Sequence, residues 1–285
     1  MAKAIVIHET GGPEVLQWED HDPGKPGNKE VLLRQEAVGL NFIDVYHRTG
    51  LYPLPRLPAV PGMEGAGVVE KIGGGVSDLS PGDRVAYAGL PVGAYAEKRI
   101  MPADRLVKLP DAIPFRLAAA MMLQGMTARY LLHGCYPVKS GDTVLIHAAA
   151  GGVGLIACQW AKHLGATVIG TAGTPEKAEL ARNHGCDHPI IYTRADFAER
   201  VKEITDGRGV DVVYDSVGKS TFMKSLDCLR PMGMMVSFGQ ASGPIDPLDI
   251  SVLSAKGSLF LTRPSLMAYT ASRQALLDHA RDLFE

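Results

Sequence analysis

A strand, a turn of small residues and a helix follow one another between residues 141 and 165. The apolar run Thr143–Ile146 predicts a buried strand. The next residues fit A-x-G-x-x-G, with Ala149, Gly151 and Gly154 at the fixed positions. Small residues there allow a tight turn, close approach of a pyrophosphate, and contact between helix and strand. Since the helix that follows offers free N–H groups to phosphates, the stretch predicts a dinucleotide site. A purely structural turn is the alternative.

The chain changes texture near its middle. Up to about residue 120, short strand candidates separated by Gly- and Pro-rich turns predict an irregular β-barrel. They are Lys3–His8, Glu30–Val38, Gly65–Ile72, Arg84–Ala88 and Ala94–Ile100. Beyond Gly141, alternating strands and helices predict a doubly wound parallel sheet. Its strands are Thr143–His147, Thr167–Thr171, Pro189–Tyr192, Val210–Asp215, Met232–Phe238 and Ser258–Leu261.

The helices predicted for this second part follow from apolar residues at helical spacing. They are Val153–Leu164, Pro175–His184, Phe197–Thr205, Lys219–Leu229, a short piece near Leu248–Leu253, and a final helix Ala268–Phe284. We therefore predict a first domain over residues 1–122, a dinucleotide-binding domain over 123–262, and a segment returning to the first domain over 263–285.

The end of the second strand of the parallel sheet indicates which dinucleotide binds. NAD sites place an acid there for the ribose 2′-hydroxyl, and Ile169–Gly173 contains none. Thr174 is a good N-cap, and Lys177 falls in the first turn of the next helix. A cation at a helix N-terminus favours an anion such as the 2′-phosphate of NADPH. A solvated lysine is the alternative, and Glu176 could offset its charge.

Composition excludes several classes of function. A formal net charge of −2, with no block of like charge, gives no reason to expect a nucleic-acid partner. No apolar run reaches the length of a membrane span, and the N-terminus is too weakly apolar for a signal peptide. The four cysteines have no C-x-x-C spacing, which is typical of reduced thiols in the cytoplasm.

Several motifs together resemble the zinc-free quinone oxidoreductases of the medium-chain dehydrogenase/reductase superfamily, the zeta-crystallin-like group. The resemblance covers nearly the whole chain and includes the glycine-rich turn. The other matching stretches are residues 39–53, Pro61–Gly67, Pro81–Val85, Gly93–Glu97, Tyr214–Gly218, Ser237–Gly239 and Leu261–Pro264. It implies a GroES-like barrel joined to a Rossmann domain, with NADPH as the cofactor and a homodimer formed through the Rossmann edge strand near Ser258–Leu261.

The resemblance also implies the site residues. The adenosine phosphate is expected near Gly173, Thr174, Lys177 and Tyr192, and the pyrophosphate on Gly152 and Val153. The nicotinamide end of the cofactor is expected near Asn41, Phe42, Tyr46, Thr127, Tyr130, Ser216, Phe238, Gly239, Gln240 and Pro264. The quinone is expected near Asn41, Asp44, Tyr46, Tyr52 and Arg263, in the cleft between the domains.

A catalytic metal is not expected. The resemblance implies that zinc-dependent relatives have a cysteine in place of Asn41 and a histidine in place of Met63. A thioether does not replace an imidazole on zinc. A quinone is already electron-poor, so hydrogen bonds from Asn41, Tyr46, Tyr52 or Arg263 could suffice to stabilise the charge that builds on it.

Purely structural roles are the alternatives for these side chains. Tyr46 and Tyr52 could only satisfy local backbone groups, Asp44 and Arg48 could form a structural ion pair, and Glu64 could be a buried scaffold acid. A reductase of activated C=C bonds and a non-catalytic NADPH-binding protein are the competing functions. Relatives continue beyond the position of Glu285, so we expect an exposed sheet edge and lower stability in the first domain.

Overall fold

A computed structural model describes residues 1–285 and divides into two compact units. The first comprises Met1–Met126 and Thr270–Glu285, and the second comprises Thr127–Tyr269. The units thus change a few residues beyond the positions expected from sequence, residues 122 and 262, and those boundaries stay predictions.

The first unit is built on antiparallel strands. Its strands are β1 (Ala2–Val6), β2 (Gln17–His21), β3 (Glu30–Gly39), β4 (Glu64–Ile72), β5 (Arg84–Ala88), β6 (Lys98–Pro102) and β7 (Val107–Lys108). The main sheet has the order β6-β3-β4-β5-β7, and β1 pairs with β2. A register shift between Leu32 and Leu33 allows Val31, Leu32 and Leu33 all to be buried, although strict alternation would expose one of them.

Two predicted strands of this unit differ from the structure. The strand predicted over Ala94–Ile100 is β6, which begins only at Lys98, because Ala94 and Tyr95 use their backbone N–H groups on the loop Pro61–Gly62. The strand β2 was missed because Gln17–His21 is strongly polar and mostly exposed.

The helices of the first unit are α1 (Phe42–Thr49), α2 (Phe115–Arg129), within which the units change, and the last helix of the chain, Arg273–Phe284. The sequence predicted only turns where α1 lies. The helix begins at Asn41, whose N–H donates to Asp44 Oδ2 (2.9 Å), and it ends at Gly50, whose φ is +81°. These are ordinary signals for the two ends of a helix.

The second unit is a six-stranded parallel sheet. Its strands are β8 (Thr143–Ile146), β9 (Thr167–Ala172), β10 (His188–Ile191), β11 (Val210–Asp215), β12 (Leu229–Ser237) and β13 (Phe260–Thr262). The order β10-β9-β8-β11-β12-β13 is the doubly wound order of Rossmann domains, which confirms the predicted fold class. β12 begins three residues earlier than predicted, since Pro231 resembles a strand break in sequence.

The helices of this unit are α3 (Gly152–His163), α4 (Pro175–Asn183), α5 (Phe197–Ile204), α6 (Phe222–Leu226), α7 (Ser251–Ala255) and α8 (Leu266–Tyr269), and Arg273–Phe284 is therefore α9. The predicted helix Lys219–Leu229 is shorter, because residues 219–221 form a turn held by Asp215. The predicted helix Ala268–Phe284 is two helices, since Ser272 Oγ caps the second at the N–H of Ala275 (3.1 Å). None of the helices is long and apolar enough to cross a membrane.

Candidate active site

The glycine-rich turn joins β8 to α3, as predicted. A Cβ on Gly154 would lie 2.3 Å from the carbonyl oxygen of Ala148 and 2.8 Å from the carbonyl carbon of Ala149, so only glycine allows this contact of helix and turn. Ala149 is fully buried, and its N–H donates to the carbonyl of Thr171 (2.9 Å), which ties the turn to β9.

The start of α3 fits a pyrophosphate. Its N-cap is Gly151, which has no side chain to cap the helix. The N–H groups of Gly152 and Val153 in the first turn have no intrahelical acceptor, because the first N–H groups of every helix lack one. Free N–H groups at the positive end of the helix dipole suit the phosphates of a dinucleotide. These residues would therefore hold the pyrophosphate of NADPH.

The residues predicted for the adenosine phosphate lie together beyond β9. Thr174 caps α4 by accepting the N–H of Lys177 (3.3 Å), and a Cβ on Gly173 would lie 3.0 Å from the Tyr192 hydroxyl. Lys177 is exposed and has no ion pair in the structure. Glu176 instead hydrogen bonds with Thr174, which lowers the pKa of its carboxyl. The cation is therefore free to bind a phosphate.

A buried histidine connects the loops of this half of the site. His147, which is 1% exposed, lies between the end of β8 and the glycine-rich turn. Ser225 Oγ donates to the carbonyl of Thr221 (2.9 Å) and therefore accepts the Nε2–H of His147 (2.9 Å). This leaves His147 Nδ1 to accept from Thr171 Oγ1 (3.0 Å). The neutral imidazole thus ties the turn to β9 and α6, a role that we did not predict from sequence.

We expect acid to weaken this connection. Burial lowers the pKa of His147, although Asp215 opposes the shift. As pH falls below about 6.5, the unfolded chain therefore binds a proton that the folded chain resists, and stability falls by up to about 1.4 kcal/mol per pH unit. Thermal unfolding between pH 7 and 5 should show a shallower pH dependence for His147→Gln than for the parent. His163→Gln, at an exposed site on α3, is the control and should match the parent. Equal slopes for all three proteins would contradict this account.

Apart from Thr127 and Tyr130, the predicted nicotinamide residues of the second unit lie at the ends of β11, β12 and β13. Asp215, fully buried, accepts the N–H groups of Val217 (2.7 Å) and Gly218 (3.1 Å) and so shapes the loop after Ser216. A Cβ on Gly239 would lie 2.5 Å from the carbonyl oxygen of Ser216, so this crossing of two loops needs glycine. The motif that contains Asp215 is visible in the sequence, but the role of its carboxylate in shaping this loop is not.

Arg263 holds the same loops. Its Nη1 donates to the carbonyls of Ser237 (3.2 Å) and Gly239 (2.8 Å) and to Ser237 Oγ (3.0 Å). It therefore fixes the main chain on either side of Phe238. Gln240 follows Gly239 directly, and Pro264 follows Arg263 directly. Tyr130, in a π-helical segment (Tyr130–Cys135) that follows Thr127, stacks on Tyr269 at 4.7 Å between ring centroids.

The first unit brings the remaining predicted residues together on α1 and at its two ends. The ring centroid of Tyr46 lies 5.3 Å from that of Phe42 and 5.0 Å from that of Tyr52. Tyr46 is 8% exposed, whereas Phe42 is 54% exposed. Asn41 and Asp44 stand at the start of the same helix and are 6% and 3% exposed. The predicted quinone residues are thus four neighbours in the first unit, with Arg263 in the second.

Asp44 is not in an ion pair with Arg48, which makes that alternative wrong. Its Oδ2 accepts the N–H of Asn41 (2.9 Å) and the hydroxyl of Tyr95 (2.7 Å), while Oδ1 is buried without a partner. Capping the helix start requires Asp44 to face backwards along α1, away from Arg48 one turn later. Burial, opposed by these hydrogen bonds, raises the pKa of Asp44.

A second buried acid faces Asn41. Glu64, fully buried at the start of β4, accepts from Asn41 Nδ2 (2.6 Å) and from the N–H of Leu123 (2.8 Å). Burial raises its pKa to about 7, although the two hydrogen bonds oppose the shift. The Asn41 amide is therefore a held, buried N–H donor, the kind of group that stabilises charge on a ligand oxygen.

The residues do not fit a catalytic zinc ion. Met63 is 2% exposed and offers only a thioether. The amide nitrogen of Asn41 acts as a hydrogen-bond donor to Glu64 and not as a metal ligand. No group of three or more His, Cys, Asp or Glu side chains is placed to hold a metal ion.

Family models match most of the chain. The alcohol dehydrogenase GroES-like domain matches residues 27–111, and the zinc-binding dehydrogenase domain matches residues 152–279. Both models match in the order of the two units described above. Fold and site thus define a two-domain dehydrogenase/reductase with a GroES-like first domain and a dinucleotide-binding second domain.

Similar proteins narrow this class. A quinone oxidoreductase of Pseudomonas aeruginosa is 53% identical over all of this chain and 87% of its own length, and a 2-haloacrylate reductase of Burkholderia is 51% identical over the same shares. The structure of Escherichia coli quinone oxidoreductase complexed with NADPH is 49% identical, with a TM-score of 0.98 over 99% of this chain and 87% of that one. The chain therefore belongs to the quinone oxidoreductases of the medium-chain dehydrogenase/reductase superfamily.

Proposed function

We propose that this protein reduces quinones with NADPH. The observation that carries the proposal is the buried amide of Asn41, held by Glu64 and followed on the same helix by Tyr46. NADPH supplies a hydride, and a quinone that gains a hydride and a proton becomes a hydroquinone. Negative charge builds on the quinone oxygens during this reduction, and an oriented N–H donor in a dry site stabilises that charge.

The remaining residues bind and orient. Gly152 and Val153 hold the pyrophosphate with their N–H groups, and Thr174, Lys177 and Tyr192 hold the 2′-phosphate. The residues that we assign to the nicotinamide end are Thr127, Tyr130, Ser216, Phe238, Gly239, Gln240 and Pro264 of the second unit and Asn41, Phe42 and Tyr46 of the first. We assign Asp44, Tyr52 and Arg263 to the quinone, where Asp44 fixes the main chain at Asn41 and Arg263 fixes the main chain at Gly239.

The competing substrate class is an activated C=C bond, which the similarity to a 2-haloacrylate reductase favours. NADPH oxidation should be measured in parallel with 1,4-naphthoquinone and with 2-chloroacrylate. We expect a higher kcat/KM for the quinone, because the site offers hydrogen-bond donors to ketone oxygens. The free cation Lys177, which could bind the carboxylate of 2-chloroacrylate, is assigned to the cofactor instead. Faster turnover of 2-chloroacrylate would reverse the assignment.

Lys177 should decide between the two dinucleotides. Replacing it with alanine removes one charge-assisted contact to the 2′-phosphate, which we expect to weaken NADPH binding about 10- to 100-fold. NADH lacks this phosphate, so its Kd should change less than about twofold. The fluorescence of the bound cofactor can be titrated for both. Arg182→Ala, at the other end of α4 and paired with Glu179, is the matched control and should leave both affinities unchanged. Equal affinities for the two cofactors that do not respond to Lys177→Ala would contradict the NADPH preference.

Three further properties complete the proposal. Turnover is zinc-independent, because Asn41 and Met63 replace metal-binding side chains, so a chelator should leave kcat unchanged.

The protein is a cytoplasmic homodimer. Four thiols without disulfides support the cytoplasmic location, and β13 at an open sheet edge, with Phe260 57% exposed, supports the dimer. Sedimentation of the parent and of Phe260→Arg tests the dimer, and a parent that sediments as a monomer would refute it. We assign no membrane or nucleic-acid partner.

A further inference from the structure

The side chain of Glu64 fits closely between other segments of the first unit. It starts β4 directly opposite Gly39, the last residue of β3. A Cβ on Gly39 would lie 2.2 Å from Glu64 Oε2 and 2.3 Å from the carbonyl of Ala119, so glycine makes room for the carboxyl group. An acid that is fully buried and closely fitted costs stability unless it is hydrogen-bonded. The pKa of Glu64 stays raised in spite of its two hydrogen bonds, so its burial still costs stability and suggests a use beyond packing.

The hydrogen bonds of Glu64 fix the direction of the Asn41 amide. Oε1 accepts the N–H of Leu123 and Oε2 accepts Asn41 Nδ2, so both carboxylate oxygens face donors. The Asn41 Oδ1 is then left to accept from Gln124 Nε2 (3.4 Å). The reversed amide would set Oδ1 against a carboxylate oxygen, which is repulsive. One N–H of Nδ2 binds Glu64, and the second remains for a ligand.

Burial makes the ionised form of Glu64 costly, and the groups that face it either add to this cost or reduce it. Asp44 approaches from α1, and its charge raises the pKa of Glu64. Tyr87 from β5 and Tyr95 from the loop before β6 also feel its charge, and Arg99 lies over the ring of Tyr87. The N–H groups of Met122 and Leu123 from α2 favour the ionised form.

A protonated Glu64 could not keep this arrangement. Each carboxylate oxygen faces an N–H donor, so the oxygen that takes the proton would set its O–H against either Asn41 Nδ2 or the Leu123 N–H. The simplest rearrangement reverses the Asn41 amide, so that Oδ1 accepts the new O–H. The group that Asn41 offers to a ligand would then change from a donor to an acceptor.

We propose that Glu64 is a positioning residue for the reduction, one that holds the Asn41 amide with an N–H directed at the oxygen of the substrate that gains charge. This inference rests on the proposed function, and it adds a residue that touches neither substrate nor cofactor. Glu64 keeps its carboxylate through the reaction and transfers no proton.

Glu64→Gln tests the proposal, because glutamine has the same shape as a protonated carboxyl group. Its NH₂ group must face either Leu123 N–H or Asn41, and the reversed Asn41 amide relieves the conflict. We expect kcat with 1,4-naphthoquinone to fall about 10- to 100-fold, while the Kd of NADPH changes less than about twofold. In the parent, kcat should fall below about pH 7, and in the variant it should lose this dependence. Glu70→Gln, on the same strand but exposed enough to pair with Lys98, should behave as the parent.

A second measurement needs no substrate and uses a variant only to assign the signals. In the parent protein with ¹⁵N-labelled asparagine side chains, the NH₂ signals of Asn41, assigned by comparison with Asn41→Ala, should shift with a midpoint near pH 7. Signals that do not move between pH 5.5 and 8.5, or a Glu64→Gln variant with parental kcat and pH profile, would overturn the proposal. If quinone reduction itself is absent, the proposed function fails, whereas the NMR titration still reports whether Glu64 controls the amide.

Discussion

Replacing Gly154 with alanine is expected to abolish tight NADPH binding and to destabilise the second unit. The added Cβ would press 2.3 Å from the carbonyl oxygen of Ala148, and backbone atoms cannot move aside as a side-chain end can. Overpacking of this kind costs about 3 kcal/mol, which lowers Tm by about 6–12 °C in a chain of this size. The shifted helix start should misplace two N–H donors to the pyrophosphate and weaken NADPH binding about 100-fold.

Gly151→Ala is the matched control for stability. A Cβ on Gly151 would lie 3.1 Å from the same carbonyl oxygen, and Gly151 has a φ of −82°, which alanine adopts readily. Calorimetry should therefore show a Tm loss for Gly151→Ala that is less than half that of Gly154→Ala. If the two variants unfold at the same temperature, close contact at residue 154 is not what the turn requires.

Replacing Asn41 with alanine should have the largest effect on turnover. The change removes the N–H donor that stabilises charge on the quinone oxygen, and loss of one such donor typically lowers kcat about 100- to 1,000-fold. Binding of NADPH depends mainly on the second unit, so its Kd should change less than about threefold. Steady-state kinetics with 1,4-naphthoquinone and a separate cofactor titration measure the two effects.

The same variant leaves Glu64 Oε2 without its donor, so stability must be measured beside activity. Asn183→Ala, on the exposed end of α4, controls for the loss of an asparagine side chain and should keep full turnover. A folded Asn41→Ala protein that retains more than half of the parental kcat would remove Asn41 from the reaction.

Much of the second unit could be predicted because its signals are local. Each parallel strand is a short apolar run, the turn before α3 requires small residues, and the lack of an acid at the end of β9 can be read directly from Ile169–Gly173. The alternation of strands and helices predicted the doubly wound class of the sheet. Boundaries were wrong where a local feature misled, as at Pro231, a strand-breaking residue that lies inside β12.

The first unit was harder, because its site depends on contacts between distant residues. α1 has only eight residues, and Gly39, Asn41 and Gly50 around it suggest turns, although Asn41 with Asp44 is a helix-start signal. Glu64 meets Asn41 only because β3 and β4 pair Gly39 with Glu64, a register that the sequence does not reveal. The connection from His147 to Thr171 and Ser225 likewise joins residues 24 and 78 positions apart.

The central claim is the NADPH-dependent reduction of a quinone, and anaerobic turnover of the protein with 1,4-naphthoquinone tests it most directly. The loss of NADPH absorbance and the hydroquinone formed should be measured in the same sample. We predict one hydroquinone for each NADPH oxidised, with much slower turnover when NADH replaces NADPH and with a strong loss in Asn41→Ala. A protein that binds NADPH tightly and yet leaves it unoxidised in the presence of the quinone would contradict the account.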